Sequence, residues 1–253
     1  MFTSINRFVL IAIYPFCIWF IFGCTKIPFG QSPEPIRKAE DGYISVKIWT
    51  PWLVQITGSA VIINDGVAVT NRHIMESVFK SKGTLANDKT VALKNVVLLD
   101  TLDIAVFDIP CGVGTPIRWN KNRHIKQGQN IYALGTSKNN PVFKGVVVKE
   151  FFKLHHSDID IPKATKNPNN KRSITNGFIY KGETSHGFSG GPVLDVKGEL
   201  IGINQGRIKK FLSKDPQANK ISTSETFGFA YHIRDVIAAV TKYTPIKMQR
   251  CQL

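Results

Sequence analysis

Acidic side chains are in short supply in this chain of 253 residues: 18 Asp and Glu stand against 33 Lys and Arg, a formal charge of +15. A charge that large points first to an anionic partner. The imbalance is regional. Residues 24–117 hold nine basic and nine acidic groups, whereas residues 118–181 hold thirteen basic groups and three acidic ones, Glu150, Asp158 and Asp160. Cysteine is scarcer still, at four. No CxxC pair and no HExxH occurs, so the usual zinc signatures are missing. His155, His156, Asp158 and Asp160 cluster without such a spacing, and neither a metal nor a cofactor is expected. Helical patterns are nearly missing too: residues 234–242 read as a helix and residues 73–80 as a short one. There is no repeat, no heptad pattern and no internal membrane span, which argues against bundles and coiled coils. With 43% apolar and 20% charged residues, global disorder is excluded. The length fits one domain or two small packed halves.

The one long apolar run is N-terminal. Arg7 precedes residues 8–22, apolar throughout and containing Pro15, and Gly23-Cys24 follows. A membrane span needs about 20 apolar residues, so the run reads as an export signal. Ile21-Phe22-Gly23-Cys24 resembles the bacterial lipobox, with bulky Phe22 where a small residue is usual. That resemblance implies cleavage before Cys24, lipidation of Cys24, and a mature chain anchored on the periplasmic side of a bacterial envelope. Thr25 is not the Asp associated with inner-membrane retention, so the outer membrane is favoured. An uncleaved anchor and an ordinary signal peptide stay open, and either exports the chain. Export places Cys111 and Cys251 where disulfides persist; they either pair or remain buried thiols.

Residues 25–40 are rich in Pro, Gly and Ser and show no period, which suggests a tether. Beyond them come short β-rich runs at residues 43–48, 52–56, 59–63, 67–70, 91–99, 103–109, 130–134, 142–148, 177–180, 192–194, 200–203 and 228–230. Pro51, Gly58 and Asn64-Asp65-Gly66 break the first of them. Many short strands at regular spacing predict an all-β barrel or sandwich. Residues 163–171 are polar and Pro/Asn-rich and read as a surface loop.

Three segments carry chemistry in combination. Val69-Thr70-Asn71-Arg72-His73 ends a strand in a histidine, and Asp103 opens the apolar run Ile104-Ala105-Val106. Gly187-Phe188-Ser189-Gly190-Gly191-Pro192-Val193 sets a serine in a tight glycine turn before a strand. A serine hydroxyl is a weak nucleophile and needs a base, which an imidazole supplies. A carboxylate holds that imidazole in the productive tautomer, and glycines let backbone N–H groups face a developing oxyanion. Asp100 and Asp108 are the nearest rivals to Asp103.

In this order the motifs resemble a trypsin-like serine protease of the chymotrypsin fold, nearest in flavour to bacterial HtrA-type catalytic domains. Gly58-Ser59-Ala60, Thr70-Asn71-Arg72-His73-Ile74, Asp103-Ile104-Ala105-Val106 and the serine turn carry the likeness. The stretches at 128–135, 193–204 and 228–230 extend it over about residues 43–240. Phe188 stands where that group has Asn and digestive relatives have Asp. The resemblance implies two six-stranded antiparallel β-barrels with a short C-terminal helix, and a serine endopeptidase. Ser189 would be the nucleophile, His73 the base, Asp103 its partner, and the Gly187 and Ser189 N–H groups the oxyanion hole. His124, His155, His156, His186 and His232 match no triad position.

Residues before the serine line the pocket for the side chain preceding the cut in this fold: here Glu183, Thr184, Ser185 and His186. A carboxylate of Glu183 at the pocket base would favour Lys or Arg; Thr184 suits a neutral pocket. The implied divisions are a signal at 1–23, a lipidated tether at 24–42, barrels at 43–118 and 119–232, and a helix and tail at 233–253. About eleven residues follow the helix, too few for the PDZ domain of HtrA proteases, and no zymogen junction precedes residue 43. Protein or peptide substrates, a membrane through the lipid, and an anionic surface against residues 118–181 are the expected partners. Export argues against nucleic acid. A protease fold retained only for binding is the alternative, with Phe188 beside the serine as its motive.

Overall fold

The computed structural model describes residues 26–28, 30–52, 54–76, 78–121, 124–136, 141–155, 159–160, 173–182, 184–208, 226–243 and 251. A two-residue strand, β1 (Lys26–Ile27), and a six-residue helix, α1 (Glu34–Ala39), come first. The first sheet then takes β2 (Tyr43–Trp49), β3 (Gln55–Asn64), β4 (Val67–Asn71), β5 (Lys80–Leu85), β6 (Thr90–Val91), β7 (Lys94–Leu98) and β8 (Ile104–Asp108). A single helical turn, α2 (Arg72–Met75), lies between β4 and β5. The order across the sheet is β6-β5-β2-β3-β4-β8-β7. Only residues 92 and 93 separate the two edge strands along the chain, so the sheet must curl round on itself, with no ladder joining its edges among the described residues.

The second unit takes β9 (Asn130–Leu134), β10 (Val142–His155), β11 (Ile159–Asp160), β12 (Ser173–Lys181), β13 (Pro192–Asp195), β14 (Leu200–Ile208) and β15 (Phe227–His232), followed by α3 (Ile233–Tyr243). β9 pairs with both β10 and β13, and this closes β9-β10-β12-β15-β14-β13 into a six-stranded antiparallel barrel. β1 adds to the edge of β10 and β11 to that of β14. The fold is mostly β as expected, with one closed barrel and one curled sheet of seven strands.

Apolar alternation explains where the core sits. Val61, Val67, Val69, Ile104 and Val106 of the first sheet join Leu134, Leu194, Ile203 and Tyr231 of the barrel in one shared cluster. Separate clusters fill each unit, one around Ile44, Ile62 and Phe107 and the other around Phe143, Phe178 and Phe188. Burying a Val, Ile or Phe contributes about 1.5–3 kcal/mol, so the shared cluster fixes the two units against each other.

The segment expected to be a tether is folded where it is described. α1 begins just after Pro33, buries Ile36 and Ala39 in the shared cluster, and pairs Glu34 with Lys38 at 2.8 Å across one turn. Glu40 is buried behind it and accepts hydrogen bonds from the Ser32 hydroxyl and the Gly30 N–H. Burial pushes the Glu40 carboxyl up, against the lowering effect of those bonds. At the other end, Cys251 is bonded to Cys111 across 140 residues, so the two leftover cysteines pair. The signal run, Cys24, Glu183, His156, Asp158 and the loop at 163–171 lie outside the described residues.

Candidate active site

β4 runs antiparallel to β8, with Asn71 opposite Ile104. That register brings the end of β4 to the start of β8, so His73 on α2 meets Asp103, the residue before β8. The Arg72 N–H donates to the Asp103 carbonyl at 3.0 Å. The His73 N–H donates to Asp103 Oδ1 at 2.9 Å, and His73 Nδ1 lies 2.7 Å from Asp103 Oδ2. Both side chains are buried, at 1% and 5% exposure. Facing an ionised carboxylate, Nδ1 is the nitrogen that carries the proton. His73 Nε2 is left buried without a hydrogen-bond partner among the described residues.

Burial by itself would raise the Asp103 carboxyl. The charge of His73, its ring and backbone hydrogen bonds, and a hydrogen bond from Gln205 outweigh it and hold the group down at about 2. Gln205 Nε2 donates to Asp103 Oδ2, and its Oε1 accepts from Asn71 Nδ2 at 2.8 Å. The same Asn71 amide reaches the Asp103 carbonyl at 3.3 Å. Asn71 and Gln205 were not among the sequence candidates. Both amides are wholly buried at the seam between the two units, and a buried polar group needs a partner.

The rivals to Asp103 sit elsewhere. The Asp100 carboxylate is 85% exposed and meets the Arg72 guanidinium at 3.0 Å. Asp108 lies at the far end of β8 and accepts from Asn95 at 2.7 Å. Of the other histidines, His124 and His186 are exposed. His232 packs between Phe151 and Phe178 with Nε2 3.0 Å from the Glu150 carbonyl, and burial lowers its pKa.

The serine turn is seated between the two units. Gly187 has φ +99°, and a Cβ there would lie 2.1 Å from the Thr136 carbonyl oxygen, so only glycine fits. Gly190 has φ +83° and abuts the end of β4, where a Cβ would meet Thr70 Oγ1 and the Ser59 carbonyl at 2.2 Å. The Ser59 N–H donates to the Ser189 carbonyl at 2.8 Å. The Gly187 carbonyl accepts from Ser59 Oγ at 2.6 Å and from the Thr136 N–H at 2.9 Å. The N–H groups of Phe188, Gly190 and Gly191 are used inside the fold, while those of Gly187 and Ser189 donate to nothing among the described residues. Phe188 points away from the site. It is 2% exposed, lies 5.3 Å from the Phe143 ring and rests on Gly135, so it anchors the turn in the barrel core.

Ser189 opens onto a small cleft of about 120 Å³ lined by Ser185, His186, Gly206 and Arg207. Thr184 is buried beneath it; its hydroxyl accepts from Asn204 Nδ2 at 3.4 Å, and Asn204 Oδ1 accepts from the Tyr180 hydroxyl at 2.5 Å. Burial raises the Tyr180 hydroxyl against a hydrogen bond to Thr184, so it stays a neutral donor. Among the described residues no cluster of three or more His, Cys, Asp or Glu could hold a metal.

A family model described as a trypsin-like peptidase domain matches residues 58–203. Serine protease HTRA1B of Danio rerio is 25% identical over 202 residues, which cover 76% of this chain and 39% of that protein. Serine protease Do-like HtrB of Bacillus subtilis is 27% identical over 172 residues, covering 66% of this chain and 33% of that one. The chain thus spans well under half the length of these curated relatives. Among solved structures, the active form of the Rv3671c protease from M. tuberculosis superposes with a TM-score of 0.64 at 18% identity, covering 86% of this chain and 93% of that one. That likeness is one of fold.

Proposed function

The chain belongs to the trypsin-like peptidase domain family, and from that premise we propose that it is a serine endopeptidase using Ser189, His73 and Asp103. The observation that carries the reading is the histidine. Its Nδ1 is pinned by a carboxylate held ionised, and its Nε2 is buried and unpartnered near a glycine turn that bears a serine. In the first half-reaction Ser189 Oγ bonds to the scissile carbonyl carbon while its proton passes to Nε2. The carbonyl oxygen takes the negative charge and is met by the Gly187 and Ser189 N–H groups. Collapse breaks the C–N bond, Nε2 returns the proton to the leaving amine, and an ester on Ser189 remains. Water, deprotonated by the same nitrogen, then adds to the ester carbon; the bond to Ser189 Oγ breaks, Oγ takes the proton back from Nε2, and the acid leaves. No cofactor enters this sequence.

Substrates in this reading are proteins or peptides, with the side chain before the cut received by Glu183, Thr184, Ser185 and His186. Residues 43–118 supply the base and its carboxylate, and residues 119–232 the nucleophile and pocket. Export by residues 1–23, lipidation of Cys24 and a periplasmic, membrane-held location complete the proposal. The basic stretch at 118–181 would then face an anionic envelope surface, an attraction that must weaken as salt rises. Turnover of a peptide library by the mature chain tests the activity. Cleavage that disappears in Ser189→Ala is the expected result, and equal turnover by both proteins would contradict it.

A further inference from the structure

A second, larger cleft of about 600 Å³ adjoins the serine turn through Thr136 and shares no lining residue with the small one. Its inner wall is Thr136, whose N–H holds the Gly187 carbonyl and whose hydroxyl meets Tyr43 at 2.8 Å, Ser45 at 3.0 Å and the Gly58 carbonyl at 2.7 Å. From there the cleft runs out over the outer face of β2 and its two neighbours. The register lays down rows across that face: Ser45 lies beside Ser59 and Thr84, Lys47 beside Thr57 and Lys82, and Trp49 beside Gln55 and Lys80. The inner row is hydroxyl-bearing and the next is cationic.

Lys47 and Lys82 are exposed, directly opposite each other, and make no ion pair among the described residues. Like charges facing across a ladder destabilise a sheet. The pair lies in residues 24–117, where nine basic groups, these two included, stand against nine acidic ones, so it is a local cluster and not part of the basic excess. Lys80 continues the cationic edge, lying 6.0 Å over the Trp49 ring. Among the described residues the acid on the cleft wall is Asp88, which sits in the turn beyond Leu85, at the other end of β5 from Lys82.

Resting on the endopeptidase reading, which assigns the small cleft to the side chain before the cut, we infer that the large cleft receives the leaving-group side of the substrate. We further infer that Lys47, on the cleft wall, and Lys82, beside the cleft and across the ladder from Lys47, select acidic side chains there. An extended peptide advances about 3.3 Å per residue. Asp or Glu about two to four residues past the scissile bond therefore reaches the lysine row. The substrate class is a protein segment cut just ahead of an acidic stretch.

The test uses mature protein and quenched peptides with a randomised acyl side and Glu-Glu, Gln-Gln or Lys-Lys at the third and fourth leaving-side positions. The wild type should cleave the Glu peptides with kcat/KM about tenfold above the Gln peptides, and the Lys47→Glu, Lys82→Glu double variant should favour the Lys peptides instead. Raising the salt should shrink both preferences. Labelling of Ser189 by a small fluorophosphonate, which has no leaving-side peptide, should proceed at the same rate in both proteins. Equal kcat/KM for Glu and Gln peptides, or a Glu preference unchanged in the double variant, overturns the inference while labelling leaves the endopeptidase reading standing. Absence of labelling in the wild type overturns that reading itself.

Discussion

At Asp103 two opposing effects meet, and the outcome sets how the site responds to acid. The buried carboxyl lies below its ordinary value of 3.8, at about 2, because His73 and Gln205 favour the charged form. Its ionisation therefore adds stability above about pH 4, and that contribution is lost as pH falls through about 2. Asp103→Asn should lose less stability than the wild type between those limits, as followed by circular dichroism. The same variant should lower kcat about 10⁴-fold, because an amide no longer enforces the Nδ1–H tautomer. Gln205→Ala removes one donor to an ionised group, and kcat should fall about tenfold or more with KM little changed, as read by steady-state kinetics. His73, Asp103 and Ser189, the proposed triad, stand out in the sequence because each sits at a strand end or in a glycine turn. Gln205 does not. It follows the recognisable stretch at 193–204 by one residue, and its role appears only when β14 is laid against β8 through the shared core.

In the proposed mechanism the element that decides competence is the turn at 187–191. Its shape comes from two glycines in left-handed conformations and from one aromatic ring driven into the barrel. A Cβ at Gly187 must displace the Thr136 carbonyl, and in the proposed mechanism the Gly187 N–H is one of the two that meet the oxyanion. Gly187→Ala should cut kcat about 10²–10³-fold. Phe188→Ala should destabilise the fold by about 3–5 kcal/mol through the cavity it leaves, measured as a lowered Tm. Phe188 in the sequence suggested a silent site, because neighbours of a serine nucleophile read as substrate-facing. Alternation is no guide inside a glycine turn, and only the contact with Gly135 and Phe143 reveals the side chain as an anchor.

Across the whole molecule the β class was readable from alternation, while the number of strands and the ends of the chain were not: twelve runs stand out in the sequence against fifteen strands among the described residues, with β5 in a stretch that shows no run. α1 has six residues, two of them buried and apolar, too short for a helical period to register, so its segment resembles a linker until Ile36 and Ala39 are seen in the shared cluster. Cysteine spacing likewise could not choose between a bridge and two thiols. The Cys111–Cys251 bond ties the C-terminal tail to the first sheet beside Gly66. Replacing both with Ser should cost about 2–4 kcal/mol, seen as a lower Tm that matches wild type under reducing conditions. The charge excess, so prominent in the composition, belongs to the second unit and names no reaction. In the proposed function the chemistry lies where the neutral first sheet meets the basic barrel.

That meeting point can be tested by one reaction. Treated with a fluorophosphonate, the folded mature protein should acquire a single covalent adduct on Ser189, located by mass spectrometry. The adduct should be lost in Ser189→Ala and strongly slowed in His73→Ala. A folded wild type that takes no label, or takes it on another residue, would contradict the proposal that these three side chains act together.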